Sequence, residues 1–141
     1  MPTYSERSRA NLAETHPALQ AVFNKVIETF DHTIIEGYRG EAEQSAAFHG
    51  GRSKLRFPES KHNRTPSLAV DVCPYPIDWA DHRRFHLFAG FVLATALAVG
   101  VKLRWGGDWD GDWTWKDQTF HDLPHFELVC PGPFGNNEAT K

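Results

Sequence analysis

Two things this sequence has little of are cysteine and positive charge in excess. Cys73 and Cys130 are its only thiols, in a chain of 141 residues, which is too few for the disulfide frameworks that staple small secreted domains. In regular strands Cys73 would share a face with Asp71, while Cys130 would point away from His125. That argues for free, buried thiols rather than a bond between them. The 15 Lys and Arg against 18 Asp and Glu, a net charge of −3, provide no basic excess with which a general nucleic-acid binder releases phosphate counterions. No run approaches the roughly 18 to 20 apolar residues that span a bilayer, and the opening MPTYSERSRANLAETHP lacks the apolar heart of a signal peptide. The expectation is a chain made as a soluble cytoplasmic protein, with no membrane or nucleic-acid partner. Repeats, low-complexity linkers and shifts of composition are also missing. The chain therefore reads as one domain over 1–141, with its core between about residues 17 and 130 and a loose C-terminal tail over 131–141.

What is there is periodicity. Ala18, Leu19, Val22, Phe23, Val26, Ile27 and Phe30 recur at three-and-four spacing, and with Pro17 in the first turn they predict a helix of about 14 residues. His32 to Tyr38 is rich in β-branched residues and reads as a strand with Arg39 at its exit. Glu41 to Phe48 favours a short helix closed by Gly50 and Gly51, followed by a long charged loop over 52–67. Leu68 to Val72 is a short apolar run, read as a buried strand. Asp81 caps a helix running through Phe85, Phe88, Val92 and Ala96 to the stop at Gly100. Lys102 to Trp105 and Phe126 to Val129 complete the strands. Helices mixed with hairpin-length strands, without regular βαβ alternation, predict an α+β fold with a small, largely antiparallel sheet packed against helices.

Asp71 stands inside the apolar run, between Val70 and Val72. A carboxylate buried there as an unpaired charge would cost several kcal/mol, so it requires an arginine, backbone donors or a metal ion. His62 lies on the loop before it and His125 just ahead of the last strand. His, Asp and His form a common three-ligand set for catalytic zinc, leaving a fourth position open to water. Asp122 precedes His125 by three residues, and Pro124 between them rules out the continuous helix of an HExxH site. Ser60 has no Gly-x-Ser-x-Gly surroundings, so it reads as a hydrogen-bonding residue beside the ligand loop rather than a nucleophile. Asp108, Asp110 and Asp112 alternate as carboxylates that wrap calcium do, though not in an EF-hand pattern, and a solvated acidic loop is the competing reading. The tryptophans of the same segment, Trp105, Trp109, Trp113 and Trp115, read as core fillers or loop braces before sugar-stacking platforms.

Ser60-x-His62, Ala69-x-Asp71 and Asp122-x-x-His125-Phe126-Glu127, the last following Trp105-Gly106-Gly107-Asp108, together resemble the M15 zinc peptidases. These are the VanY and D-Ala-D-Ala carboxypeptidase-like enzymes, and the likeness is closest to their phage L-alanyl-D-glutamate endopeptidase branch. It runs from Gly37 to Leu128. The resemblance implies a hedgehog/DD-peptidase-like fold, with His62, Asp71 and His125 as zinc ligands, Asp122 as general base and Arg39 as the cation on the substrate carbonyl or its oxyanion. It also implies a monomeric endolysin of phage or prophage origin, made in the host cytoplasm and released to cut peptidoglycan stem peptides at L-Ala-D-Glu. A D-Ala-D-Ala carboxypeptidase is the nearest alternative. A zinc-stabilised module that hydrolyses nothing is the rival from another class, and it would need neither Asp122 nor Arg39. The carboxypeptidase branch has glutamate at the base position where this chain has Asp122. Strand alternation puts Glu127 on the face of His125, as a rival base or a partner of that histidine.

Overall fold

The computed structural model describes residues 1–130. Its helices are α1 (Glu6–Ala13), α2 (Pro17–Val26), α3 (Glu41–His49) and α4 (His82–Ala98), and its strands are β1 (His32–Glu36), β2 (Ala69–Pro74), β3 (Lys102–Trp105) and β4 (His125–Cys130), with a single 3₁₀ turn at Lys61–Asn63. The four strands form one sheet in the order β1-β2-β4-β3, every neighbouring pair antiparallel. This is the α+β architecture expected from the pattern. None of the described helices is long and apolar enough to cross a membrane.

Alternation along the strands divides the sheet into two chemically different faces. Ile34, Val70, Val72, Leu103, Trp105, Phe126 and Leu128 join Leu19, Val22, Phe23 and Val26 of α2 and Phe88 and Val92 of α4 in one apolar cluster. Each such side chain, fully buried, contributes about 1.5–3 kcal/mol. The opposite face carries Asp71 paired in register with His125, and Ala69 paired with Glu127. One irregularity adds to it. The β1–β2 register steps from Ile34↔Val72 to Glu36↔Asp71, so the extra residue, Ile35, turns Glu36 onto the face of Asp71.

Several boundaries differ from those the spacing predicts. Helix α2 ends at Val26, yet the Phe30 N–H still donates to the Val26 carbonyl at 2.9 Å and the Phe30 ring packs edge-on against Phe88. The apolar rhythm thus outlives the α-helix, because a turn continues it. Strand β1 stops at Glu36 instead of Tyr38, and β2 runs on to Pro74. Helix α1 was not foreseen. Only Ser8 and Leu12 of it are buried, too thin a stripe to register as amphipathic. Its task is to cover the outer edge of β1: Ser8 Oγ accepts from the Ile34 N–H at 3.0 Å, and Asn11 Nδ2 donates to the carbonyls of Ile34 (2.9 Å) and Ile35 (3.2 Å), removing an open edge. With Tyr4 and Leu12 in the apolar cluster, the core begins ahead of residue 17. Cys73 is free and buried, its thiol pushed up to about 11 by burial. The Cys130 side chain and the tail over 131–141, expected to be loose, lie outside the described residues.

His32 is 3 % exposed, with Nδ1 2.8 Å from the Phe30 carbonyl and Nε2 2.6 Å from the Tyr4 hydroxyl. Burial pulls its pKa down to about 4, although the Phe30 carbonyl and Asp31 favour the cation. Unfolded, the ring titrates near 6.5, so below that pH the unfolded chain takes the proton first. Stability is therefore full above about pH 6.5 and declines as pH falls toward 4, by about 3 kcal/mol in all. In urea denaturation across that range, a His32→Phe variant is expected to lose about that much less than the parent chain; parallel pH slopes for the two would contradict the assignment.

Candidate metal centre

The 3₁₀ turn presents His62. Ser60 caps it: Ser60 Oγ accepts from the His62 N–H at 3.2 Å while Asn63 Oδ1 accepts from the Ser60 N–H at 3.0 Å, a reciprocal capping box. Ser60 thus shapes the turn through hydrogen bonds at both of its polar groups. The turn is tied to the exit of β1, because the Arg39 N–H donates to the His62 carbonyl at 2.8 Å and Asn63 Nδ2 donates to the Arg39 carbonyl at 2.8 Å.

His62 Nδ1 lies 2.8 Å from the Gly37 carbonyl. A carbonyl only accepts, so Nδ1 carries the proton and Nε2 keeps its lone pair. That nitrogen is 3.1 Å from Asp71 Oδ1 and 3.2 Å from His125 Nδ1. His125 Nε2 is 2.7 Å from Glu127 Oε1, with Nδ1 3.3 Å from Asp71 Oδ1. The same reasoning frees Nδ1 of His125. Each ring therefore uses one nitrogen on an outer acceptor, the arrangement that fixes the tautomer of a metal-ligating histidine. The ligand atoms of His62, Asp71 and His125 lie within 4.8 Å of one another. Two imidazole lone pairs 3.2 Å apart beside a carboxylate repel one another unless a positive charge joins them, so this donor set fits a metal ion.

Without a metal ion, a proton on His125 takes the place of that positive charge. Burial alone would raise the Asp71 pKa, but His62 and His125 hold its carboxyl well below the usual range. Burial disfavours a charged His125, yet Asp71 and Glu127 on either side push it up to about 10. Glu127 is likewise buried, and His125, Lys61 and Arg104 hold it at about 2. Its Oε2 is 3.1 Å from Arg104 and 3.5 Å from Lys61, and Lys61 Nζ also donates to the Leu128 carbonyl. Glu127 is thus the partner of His125.

Arg39 is fixed rather than free. Its Nε and Nη2 donate to Glu36 Oε1 at 3.0 and 2.8 Å, Nη2 also to Asp71 Oδ2 at 3.2 Å, and Nη1 to Gln44 Oε1 at 3.0 Å. Asp122 reaches the same place, its Oδ2 4.0 Å from His125 Nδ1. Burial raises its pKa, opposed chiefly by His125. The Asp122 N–H donates to the Gly106 carbonyl at 2.8 Å, and a side chain at Gly106 would collide with the Asp122 carbonyl oxygen. Glycine at 106 is what allows this approach.

The carboxylates of the acidic loop form a second group, although Trp109 between them packs against His125 with ring centroids 5.4 Å apart. Asp108, Asp110 and Asp112 bring carboxylate oxygens within 4.8 Å of one another. Asp108 is buried and accepts from the N–H groups of Trp113 (2.7 Å) and Asp112 (3.3 Å). Among the tryptophans, Trp105 fills the core, and Trp109 braces the loop by donating to the Phe120 carbonyl at 2.8 Å. Trp113 and Trp115 are exposed, contrary to the core reading.

Residues 2–129 match the family of phage L-alanyl-D-glutamate peptidases. The L-alanyl-D-glutamate peptidase of Escherichia phage T5 is 31% identical over 134 residues, spanning 89% of this chain and 97% of that one. The crystal structure of the L-Ala D-Glu endopeptidase ChiX of Serratia marcescens is similar with a TM-score of 0.70 and 28% identity, over 89% of this chain and 88% of the other.

One residue of the site escaped the sequence reading. Gln44, fully buried on α3, accepts from Arg39 Nη1 (3.0 Å) and Asn63 Nδ2 (3.3 Å) and donates to Ser53 Oγ (3.0 Å) and the Leu55 carbonyl (2.7 Å). The only signal was a glutamine on the inward stripe of a short helix, three residues before buried Ala47. Gln44→Leu would leave these partners buried and unmatched. It is expected to destabilise the chain by about 3 kcal/mol, read as a lower denaturation midpoint in urea; a change below about 1 kcal/mol would mean the network is dispensable.

Proposed function

The chain belongs to the phage L-alanyl-D-glutamate peptidase family, and from that premise we propose that it is a zinc-dependent peptidoglycan endopeptidase, a phage or prophage endolysin that hydrolyses the L-Ala-D-Glu bond of stem peptides. The observation that carries the reading is the convergence of the freed nitrogens of His62 and His125 on the Asp71 carboxylate. Two imidazoles and one carboxylate suit zinc and leave a position open. When bound, the metal supplies a Lewis acid that acidifies water and polarises a carbonyl.

The remaining roles fall to the chain. Asp122 takes the proton of the attacking water as its oxygen bonds to the carbonyl carbon, and returns a proton to the leaving amine as the C–N bond breaks. A pKa raised by burial suits a base that must also act as an acid. Arg39, held by Glu36 and Gln44, offsets charge on the carbonyl oxygen. Glu127 keeps His125 in the required tautomer. Made in the host cytoplasm as a monomer, the enzyme acts on the wall after its release.

Metal analysis combined with turbidity loss and mass spectrometry of peptidoglycan fragments, with and without chelator, tests this reading. One zinc per chain and chelator-sensitive fragments with new D-Glu amino termini are expected. Loss of terminal D-Ala alone would point to a carboxypeptidase, zinc without release to a binding module, and absence of zinc would remove the centre. Asp122→Ala is expected to retain zinc while turnover falls about 10²- to 10⁴-fold, whereas His125→Ala loses both; full turnover in Asp122→Ala would end its assignment as base. Calcium is proposed for Asp108, Asp110 and Asp112. Calorimetric titration is expected to show binding at or below millimolar calcium, and no heat there would leave a self-satisfied acidic loop.

A further inference from the structure

The candidate centre lies between two clefts. His62 and His125 line one of about 420 Å³, Asp71 lines the other of about 710 Å³, and Arg39, Arg52, Phe120 and Asp122 are common to both. Their charges differ. Lys54, Lys61 and Arg104 belong to the smaller cleft alone, whereas the larger adds the carboxylates of Glu36, Glu43 and Asp71 without a further lysine or arginine.

Pairing sharpens the contrast. In the smaller cleft Glu127 is engaged by His125, Lys61 and Arg104, leaving Glu59 and the shared Asp122 as its other carboxylates. Arg52 and Lys54 are exposed and form no ion pair among the described residues. Lys54 Nζ stands 4.9 Å from the centroid of the Phe120 ring. Their backbone is anchored: the N–H groups of Arg52 and Ser53 donate to the Ala47 carbonyl at 2.9 and 3.1 Å, and buried Gln44 holds Ser53 and Leu55. Two cations seeking an anion are thus presented beside the centre on a fixed segment.

We propose that Arg52 and Lys54 form a carboxylate subsite that sets the direction of the substrate. The residue on the amine side of the scissile bond occupies the smaller cleft with its free carboxylate on these two cations, and the acyl side occupies the larger cleft. This rests on the peptidase reading above, and the chemistry of an alanyl-glutamate bond supplies the asymmetry. A glutamate joined onward through one carboxyl keeps a second, anionic one, whereas alanine offers only a methyl group. Arg52 and Lys54 together would hold the former, whereas the larger cleft, where Arg39 already engages Glu36 and Asp71, offers no lysine beside the shared Arg52 and would accept the latter.

Two N-acetylated L-Ala-D-Glu-L-Lys peptides, identical except that the second glutamate carboxyl is free in one and amidated in the other, test the proposal against the zinc-loaded full chain. The parent chain is expected to favour the free carboxylate by about tenfold in kcat/KM. Arg52→Gln combined with Lys54→Gln brings that ratio to about one, while Glu43→Gln in the other cleft leaves the ratio in place. Equilibrium binding of the two leaving fragments, D-Glu-L-Lys with the carboxyl free or amidated, reads the same contact without turnover. Equal cleavage of both peptides by the parent chain, a ratio that survives the double substitution, or one abolished by Glu43→Gln overturns the subsite and leaves the peptidase reading standing. Cleavage of neither peptide overturns both.

Discussion

Taking the Asp71 carboxylate out of bulk water in the middle of β2 is the step on which the rest of the site depends. Such a group is tolerated only when matched by positive charge or strong donors; Arg39 donates at Oδ2, while Oδ1 faces the ring nitrogens of His62 and His125, which call for a positive charge between them. Each partner then has to be held. The Gly37 carbonyl holds His62, Glu127 holds His125, and Glu36 with Gln44 holds Arg39. The demands spread outward until they reach groups that water can also serve, such as Arg104 and Lys61. A network of this kind is worth more intact than the sum of its pairs, because loss of one member leaves a charge stranded in a poorly solvated place.

The sheet keeps this network out of the core. A period of two sends Val70 and Val72 toward α2 and α4 and Asp71 the other way, so a charged centre and an apolar cluster share one backbone without sharing a face. Strict alternation would have put Glu36 among the apolar residues along with Ile34; the irregularity between them puts it beside Arg39 instead. Covering the β1 edge with α1 matters for the same reason. A frayed β1 would shift Gly37 and Arg39, which both touch the centre.

What could be read in the sequence was what depends on local spacing. The Lys102–Trp105 strand, the Asp81 cap of α4 and the inward face of α2 are set by nearest neighbours, and each was legible. The grouping of His62, Asp71 and His125 was legible because a carboxylate within an apolar run requires explanation wherever it occurs. Strand order was not, since β2 pairs with β4 across the whole of α4 and β3, and no local pattern records that. Helix α1 went unseen because its contribution is hydrogen bonds to an edge rather than an apolar stripe. Gln44 went unseen because its four partners come from three separate segments. The clefts likewise arise only when the loops after α3 and β3 meet across the sheet.

The two acidic residues flanking His125 differ in surroundings that spacing does not show. Both lie within three positions of the histidine; Glu127 is buried and Asp122 partly so. Glu127 is in a strand, and its register with Arg104, together with Lys61 from the 3₁₀ turn, surrounds it with positive charge, so it holds its proton weakly and its ligand tightly. Asp122 precedes Pro124, off the strand, anchored through its backbone to Gly106, and among the described residues its one ion-pair contact is His125 at 4.0 Å. Burial without a close counter-charge raises its pKa. A group that must accept a proton and give it up again works best with its pKa near the working pH and its oxygen free of a tight partner. By that criterion the proposed base role suits Asp122 better than Glu127, which His125, Lys61 and Arg104 engage. The distinction is created by cross-strand register and backbone anchoring, which carboxylate spacing in one dimension does not contain.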